Sequence, residues 1–154
     1  MSLVRFKDIK QLLTTYRKEN FKLVFTNGCF DLLHKGHLDL LFSAASFGDK
    51  LFVGLNSDTS VKKLKGNSRP IQNEKTRSMK LLELKYVDHV IIFQDLTPQK
   101  LIHTISPDVL VKGGDYTKNE IVGAKHVISF GGVVKIIPLT PGFSTTSIIE
   151  KSSN

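Results

Sequence analysis

Short apolar runs alternate along this chain with longer segments whose apolar positions recur at helical spacing. The runs Leu23-Val24-Phe25, Leu51 to Leu55, the VIIF within Val87 to Phe93, and Val109-Leu110-Val111 are too short for helices and rich in β-formers. They predict buried strands. Val127-Ile128 and Val133 to Ile137 are also strand-like, separated by Gly131-Gly132. Between the runs, residues 7–19 carry Ile9, Leu12, Leu13 and Tyr16 on one helical face, with Asp8 near the start and Arg17 and Lys18 at the end. Further helices are predicted from Leu38 through Leu41, Phe42 and Ala45, from Asn73 to Lys85, and from Thr97-Pro98 to Ile105 with Pro98 in the first helical position. Asn119 to Lys125 predicts a short helix, and FSTTSIIEK, after the break at Pro141-Gly142, a capped terminal one. Turn signals separate the elements: Thr26-Asn27-Gly28 ends the first buried strand, and Asn56-Ser57-Asp58 is a helix start.

Buried strands alternating with helices predict an α/β fold, a Rossmann-like doubly wound and mostly parallel sheet with helices on both faces. The 154 residues read as one domain, a leading helix in 1–21 and a core over 22–151. Such sheets bind ligands outside the carboxyl ends of their strands, at the topological switch point. The polar sets Gly28 to His37, Asn56 to Asp58 and Lys112 to Asp115 each follow a predicted strand, so they should converge on one cleft.

Composition narrows the classes. Apolar residues make up 40% and charged residues 23%, ordinary for a globular protein. No run approaches the ~20 apolar residues of a membrane span, and MSLVRFKDIKQ has no signal-peptide core. The single cysteine, Cys29, cannot form an internal disulfide and fits a reducing cytoplasm; nothing around it marks an activated nucleophile. The net charge of +8 raises nucleic acid as a ligand. The absence of an RNP-type aromatic motif, zinc-finger spacing or arginine-rich arm argues against it, and polyphosphate substrates suit the same charge.

The stretch Leu23 to Leu41, LVFTNGCFDLLHKGHLDLL, carries the chemistry. A strand, a glycine turn, His34 and His37 flanking Gly36, and then a helix make the layout of a phosphate site. The helix N-terminus faces the anion, and Gly36 lets the backbone approach it. Downstream, VKKLKGNSRP places Lys62, Lys63, Lys65 and Arg69 around Gly66 and Pro70. As a mobile basic loop after a strand end, it could close on a triphosphate.

TNGCFDLLHKGH resembles the signature of the H-x-G-H nucleotidyltransferase superfamily, which includes cytidylyltransferases and sugar-phosphate adenylyltransferases. The resemblance runs from about Lys22 to Lys151 through VGLNSD, LKGNSRP, YVDHVIIF, PDVLVKGGDY and GFSTTSII. The combination of LKGNSRP, VKGGDY and STTSII is similar to the adenylyltransferase domain of ADP-heptose synthases. These join D-glycero-β-D-manno-heptose 1-phosphate to the AMP part of ATP and release pyrophosphate.

The resemblance implies roles residue by residue. His34 and His37 would contact the phosphates, with Asn27, Gly28, Cys29, Phe30 and Gly36 forming the turn around them. Lys65 would neutralise the triphosphate, with Lys62, Lys63, Arg69, Arg77, Asn56 and Asp58 as further phosphate or substrate contacts. Lys112, Gly113, Gly114 and Asp115 would lie by the nucleoside, and Ser144, Thr145 and Thr146 would offer hydroxyls and helix-start N–H groups. Mg²⁺ would accompany ATP with no dedicated carboxylate cage. A homodimer is implied, paired near YVDHV. This domain is commonly fused behind a sugar kinase. Met1 stands just before the leading helix, so a stand-alone version fed by a separate heptose kinase is expected.

Two alternatives compete. One is a CTP-dependent cytidylyltransferase acting on an alcohol phosphate such as glycerol 3-phosphate. That pattern has an arginine just upstream of its STT motif, where this chain has Leu139. The other is a non-catalytic nucleotide- or RNA-binding module on the same scaffold, against which the intact His34 and His37 speak. Class I aminoacyl-tRNA synthetases share a related histidine motif but need more domains than this length holds.

Overall fold

The computed structural model describes residues 1–114, 117–138 and Gly142. Six strands form one sheet: β1 (Ser2–Leu3), β2 (Leu23–Gly28), β3 (Lys50–Asn56), β4 (His89–Phe93), β5 (Val109–Gly113) and β6 (Val133–Ile137). Their order is β1-β4-β3-β2-β5-β6, and every pairing is parallel. The helices are α1 (Ile9–Lys18), α2 (Lys35–Ala45), α3 (Asp58–Lys65), α4 (Glu74–Leu82), α5 (Gln99–Ile105) and α6 (Ala124–Ser129).

The unbroken apolar runs are explained by burial on both faces. Neighbouring residues of a strand point to opposite sides, so each run feeds two cores. Phe25, Phe52, Ile91 and Leu110 meet Ile9 of α1, Leu101 and Ile102 of α5 and Val127 of α6. Val24, Val53, Val90 and Val111 meet Leu41 and Ala44 of α2 and Leu81 of α4. Gly54 sits where the Phe25 ring crosses β3; a Cβ there would lie 2.8 Å from Phe25 Cζ.

From β2 the chain steps outward through β3 to β4, then returns to lay β5 on the other side of β2. The switch point therefore lies between the carboxyl ends of β2 and β5, where a doubly wound sheet opens a crevice. No helix among the described residues is long and apolar enough to cross a membrane.

Several elements differ from expectation. Thr26-Asn27-Gly28 does not end β2 but continues it, opposite Val53, Gly54 and Leu55. Thr26 is completely buried, its hydroxyl donating to the Val111 carbonyl at 2.8 Å, which keeps a polar residue inside the sheet. Val127 and Ile128 belong to α6 rather than to a strand; the helix spans 124–129, later than the predicted 119–125, where only a short 3-10 turn forms at Lys118–Glu120. Pro98 occupies the cap position of α5, one place before the predicted first turn. The two-residue β1 pairs with β4 through His89 and Val90. It covers the YVDHV segment, whose Val87 and Val90 are fully buried. Leu139 and the terminal FSTTSIIEK helix lie outside the described residues.

Candidate active site

The junction between β2 and α2 is built by two left-handed residues and a reciprocal cap. Phe30 and Leu32 have φ of 47° and 58°, uncommon for such side chains and concentrated where the chain turns from strand to helix. The helix starts at Lys35, earlier than predicted, so Gly36 and His37 lie in its first turn and His34 is its cap. His34 Nδ1 accepts from the backbone N–H of Gly36 at 3.0 Å and of His37 at 3.4 Å, while His37 Nδ1 accepts from the His34 N–H at 3.3 Å. This satisfies otherwise orphaned donors, as a Ser/Glu capping box does. The two rings stack with centroids 3.8 Å apart.

An N–H aimed at Nδ1 requires a lone pair there, so each neutral ring carries its proton on Nε2. Burial pushes the His34 pKa down. Burial, followed by the neighbouring His34, pushes His37 down to about 4, against a smaller upward pull from Asp31. Both imidazoles are therefore neutral at pH 7, with Nε2–H as the donor.

A cavity of about 620 Å³ opens at the carboxyl ends of the strands. From the β2–α2 junction it takes Asn27, Gly28, Cys29, Phe30, His34, Gly36 and His37; from β3, Asn56; from the end of α3 and the turn after it, Lys65 and Arg69; and from β5, Lys112 and Gly113. The predicted convergence of three strand ends is thus realised. A wider groove of about 850 Å³ adjoins it across Leu96 and Thr97, away from the ends of β2 and β5.

Other predicted residues stand apart. Asp115, Ser144, Thr145 and Thr146 lie outside the described residues. Gly114 does not line the cavity; its N–H donates to the Ile137 carbonyl at 3.0 Å, extending the sheet. Lys62 and Lys63 are exposed on α3, and Lys63 lines the outer groove. The basic run is not the expected loop. Its lysines form the end of α3, where cations suit the helix dipole; the helix stops at Gly66 with φ 102°, and only Arg69 lies in the turn beyond. Arg77 is not a cavity contact either. It is fully buried, its guanidinium taken by the carbonyls of Gln72, Cys29 and Asn56 and by the Asp58 carboxylate.

The sequence reading missed Asp31. It is almost fully buried and accepts from Arg69 Nε at 2.9 Å and from the N–H groups of Ile71 and Gln72 at 2.7 and 2.9 Å. Burial raises its pKa, but these donors outweigh it and hold the carboxyl below its usual range. The only available signal was its place inside GCFDLLHKGH. Leu40, Leu64, Leu96, Thr97, Val122 and Pro138 also line the cavity; as scattered residues on separate elements, they leave no motif.

The described lining is cationic. Burial lowers the Lys112 pKa; the nearby Cys29 raises it and Lys65 lowers it further. Burial raises the Cys29 thiol against the pull of Lys65, Arg77 and Arg69, which keeps it protonated and not a nucleophile. Among the described residues no group of three His, Cys, Asp or Glu is placed to hold a metal. This lining fits a divalent ion that arrives with a polyphosphate, which with water supplies most of the ligands Mg²⁺ needs.

A family profile described as Cytidylyltransferase-like matches residues 25–151. The chain is 52% identical over 149 residues to the bifunctional protein HldE of Koribacter versatilis (strain Ellin345), covering 97% of this chain and 31% of that protein. Against the bifunctional protein HldE of Rhodopseudomonas palustris (strain HaA2), identity is 53% over 140 residues, covering 91% and 29%. The chain thus spans less than a third of the length of these curated relatives. Among solved structures, the lipopolysaccharide core biosynthesis protein from Thermoplasma volcanium GSS1 superposes with a TM-score of 0.63 at 30% identity, over 78% of this chain and 97% of that one.

Proposed function

The chain belongs to the cytidylyltransferase-like family, and on that premise we propose that it transfers the AMP part of ATP to a sugar 1-phosphate, D-glycero-β-D-manno-heptose 1-phosphate. The products are ADP-heptose and pyrophosphate, for lipopolysaccharide or surface-glycan synthesis. The observation that carries the chemistry is the histidine cap. Two neutral imidazoles present Nε2–H at a helix N-terminus, in one cavity with Lys65, Arg69 and Lys112. The choice of donor and acceptor is supported by VKGGDY, STTSII and Leu139, and by the HldE relatives at about half identity.

An oxygen of the acceptor phosphate attacks the α-phosphorus of ATP, the α–β bridging bond breaks, and its electrons leave with pyrophosphate. At neutral pH the acceptor is mostly dianionic, its second pKa being near ~6, so the attacking oxygen has no proton to remove. What the reaction needs is stabilisation of charge at the attacked phosphorus and on the leaving group, and such transfers are catalysed through positioning and electrostatics. His34 and His37 donate to phosphate oxygens, and neither acts as a base. Lys65, closing the last turn of α3, neutralises the departing pyrophosphate. A divalent ion such as Mg²⁺, held by the phosphates and water, would offset the charge of ATP. By the resemblance alone, Asp115 is assigned to the nucleoside and Ser144, Thr145 and Thr146 to the phosphates.

The test is ³¹P NMR of the protein with ATP, Mg²⁺ and the heptose 1-phosphate. The paired signals of a nucleoside-diphosphate sugar together with pyrophosphate are expected. Turnover of CTP with glycerol 3-phosphate, and none of ATP with the sugar phosphate, overturns the reading.

A further inference from the structure

Arg77 does not line the site, but its hydrogen bonds join three segments that do. Its Nη1 donates to the carbonyls of Cys29 and Asn56, both at 2.8 Å, beyond or at the ends of the two central strands β2 and β3. Its Nε donates to the Gln72 carbonyl at 2.9 Å, and its Nη2 to Asp58 Oδ1 at 2.7 Å at the start of α3. Strand-end carbonyls lack a sheet partner and must be satisfied elsewhere. Without the guanidinium, Cys29 and Asn56 would be free to turn these oxygens toward the cavity, where a bare carbonyl repels phosphate.

Asp31 makes a second tie between the same segments. It belongs to the β2–α2 junction and holds Arg69 together with the N–H groups of Ile71 and Gln72. The turn carrying Arg69 is thus tied to the histidine-bearing junction twice, by Asp31 and by Arg77. Both are buried ions with hydrogen-bonded partners. Removing one partner of such a pair is costly, and a lysine cannot reproduce the planar fork.

We infer that Arg77, assisted by Asp31, is a positioning residue: it sets the strand ends and the 66–73 turn at the spacing that lets Arg69, Lys65 and the histidine pair act on one polyphosphate. The inference rests on the nucleotidyltransferase reading, because what it positions is that reading's site. It assigns Arg77 no contact with substrate.

The experiment compares wild type with Arg77→Lys and Asp31→Asn, folding being checked by circular dichroism and thermal melting. The readouts are pyrophosphate release, ATP affinity and amide hydrogen exchange over residues 29–37 and 66–73. Misplacement of catalytic groups predicts a loss of about 10²-fold in kcat for Arg77→Lys with KM for ATP close to wild type. Exchange should quicken in both segments and not in β4 or in β3 before Asn56. A rise in KM for ATP at unchanged kcat would make Arg77 a substrate contact. Unchanged kcat with a lowered melting temperature would make it structural only; either result overturns the inference. Should Arg77→Lys not fold, Asp31→Asn decides alone: reduced kcat with faster exchange at 66–73 supports the tie, and wild-type turnover refutes it. Should the wild-type protein turn over no triphosphate, the functional reading fails by itself. Exchange in the variants then still decides whether Arg77 holds the two segments: faster exchange over 29–37 and 66–73 supports it, and wild-type exchange refutes it.

Discussion

The proton position on two imidazoles governs what this site can do. With Nδ1 of His34 and His37 both accepting main-chain N–H groups, protonating either ring there would break the cap that starts α2. The neutral rings therefore offer Nε2–H as a donor, the group proposed to meet the phosphates. Losing one such donor typically costs about 10²–10³ in kcat. His37→Ala should fold, keep part of its ATP binding and lose turnover on that scale, as steady-state kinetics beside a nucleotide titration will show. The acidic limb of the rate should follow the phosphate pKa of the acceptor when acceptors are varied. A limb that stays fixed across acceptors and vanishes in His37→Ala would identify a histidine base instead. At this scale the sequence is partly legible. The H-x-G-H pattern exposes both histidines because their spacing is local. Arg77 misleads, because an arginine near a basic run looks like a ligand until its burial against three carbonyls is known.

At the scale of elements, the basic run is a helix whose end holds Lys65 at the cavity mouth. On the proposed chemistry a lysine there would stabilise charge that appears only as pyrophosphate leaves. Lys65→Ala should accordingly lower kcat by more than it raises KM for ATP; a change in KM alone would make it a ground-state contact. The strands were legible because burial on both faces leaves unbroken apolar runs, as at Leu51 to Leu55. Element ends were less so. Asn27 and Gly28 look like a turn, yet the parallel neighbour β3 carries them onward as strand. Val127-Ile128 looks like a strand because both residues are β-branched, but their helix buries Val127 in the core and leaves Ile128 half exposed. Two-residue β1 exists only through its pairing with β4, which no local pattern encodes.

At the scale of the whole molecule, one histidine in the site and one in the scaffold make stability depend on pH. His89, joined to Tyr16 and Ser2 at 2.6 and 3.0 Å, is pushed down to about 4 by burial and then by the nearby chain-terminal amine, as His37 is by burial and His34. Both have an ordinary value of 6.5, so between pH 6.5 and about 4 the unfolded chain binds protons that the folded chain does not. Stability from these groups is complete above that window and is lost as pH falls through it. Urea titrations should show a declining midpoint from pH 7 to 4, less steep in a His89→Gln variant; a flat profile contradicts the assignment. Homodimerisation is a separate expectation. YVDHV is largely interior, with Val87, His89 and Val90 buried, and light scattering of a concentration-independent monomer rejects a dimer.

The most direct measurement is pyrophosphate release, as kcat/KM, from each nucleoside triphosphate against a panel of sugar 1-phosphates and glycerol 3-phosphate. The account predicts the highest value for ATP with D-glycero-β-D-manno-heptose 1-phosphate, dependent on a divalent cation. A preference for CTP with glycerol 3-phosphate, or full activity in excess chelator, would contradict it.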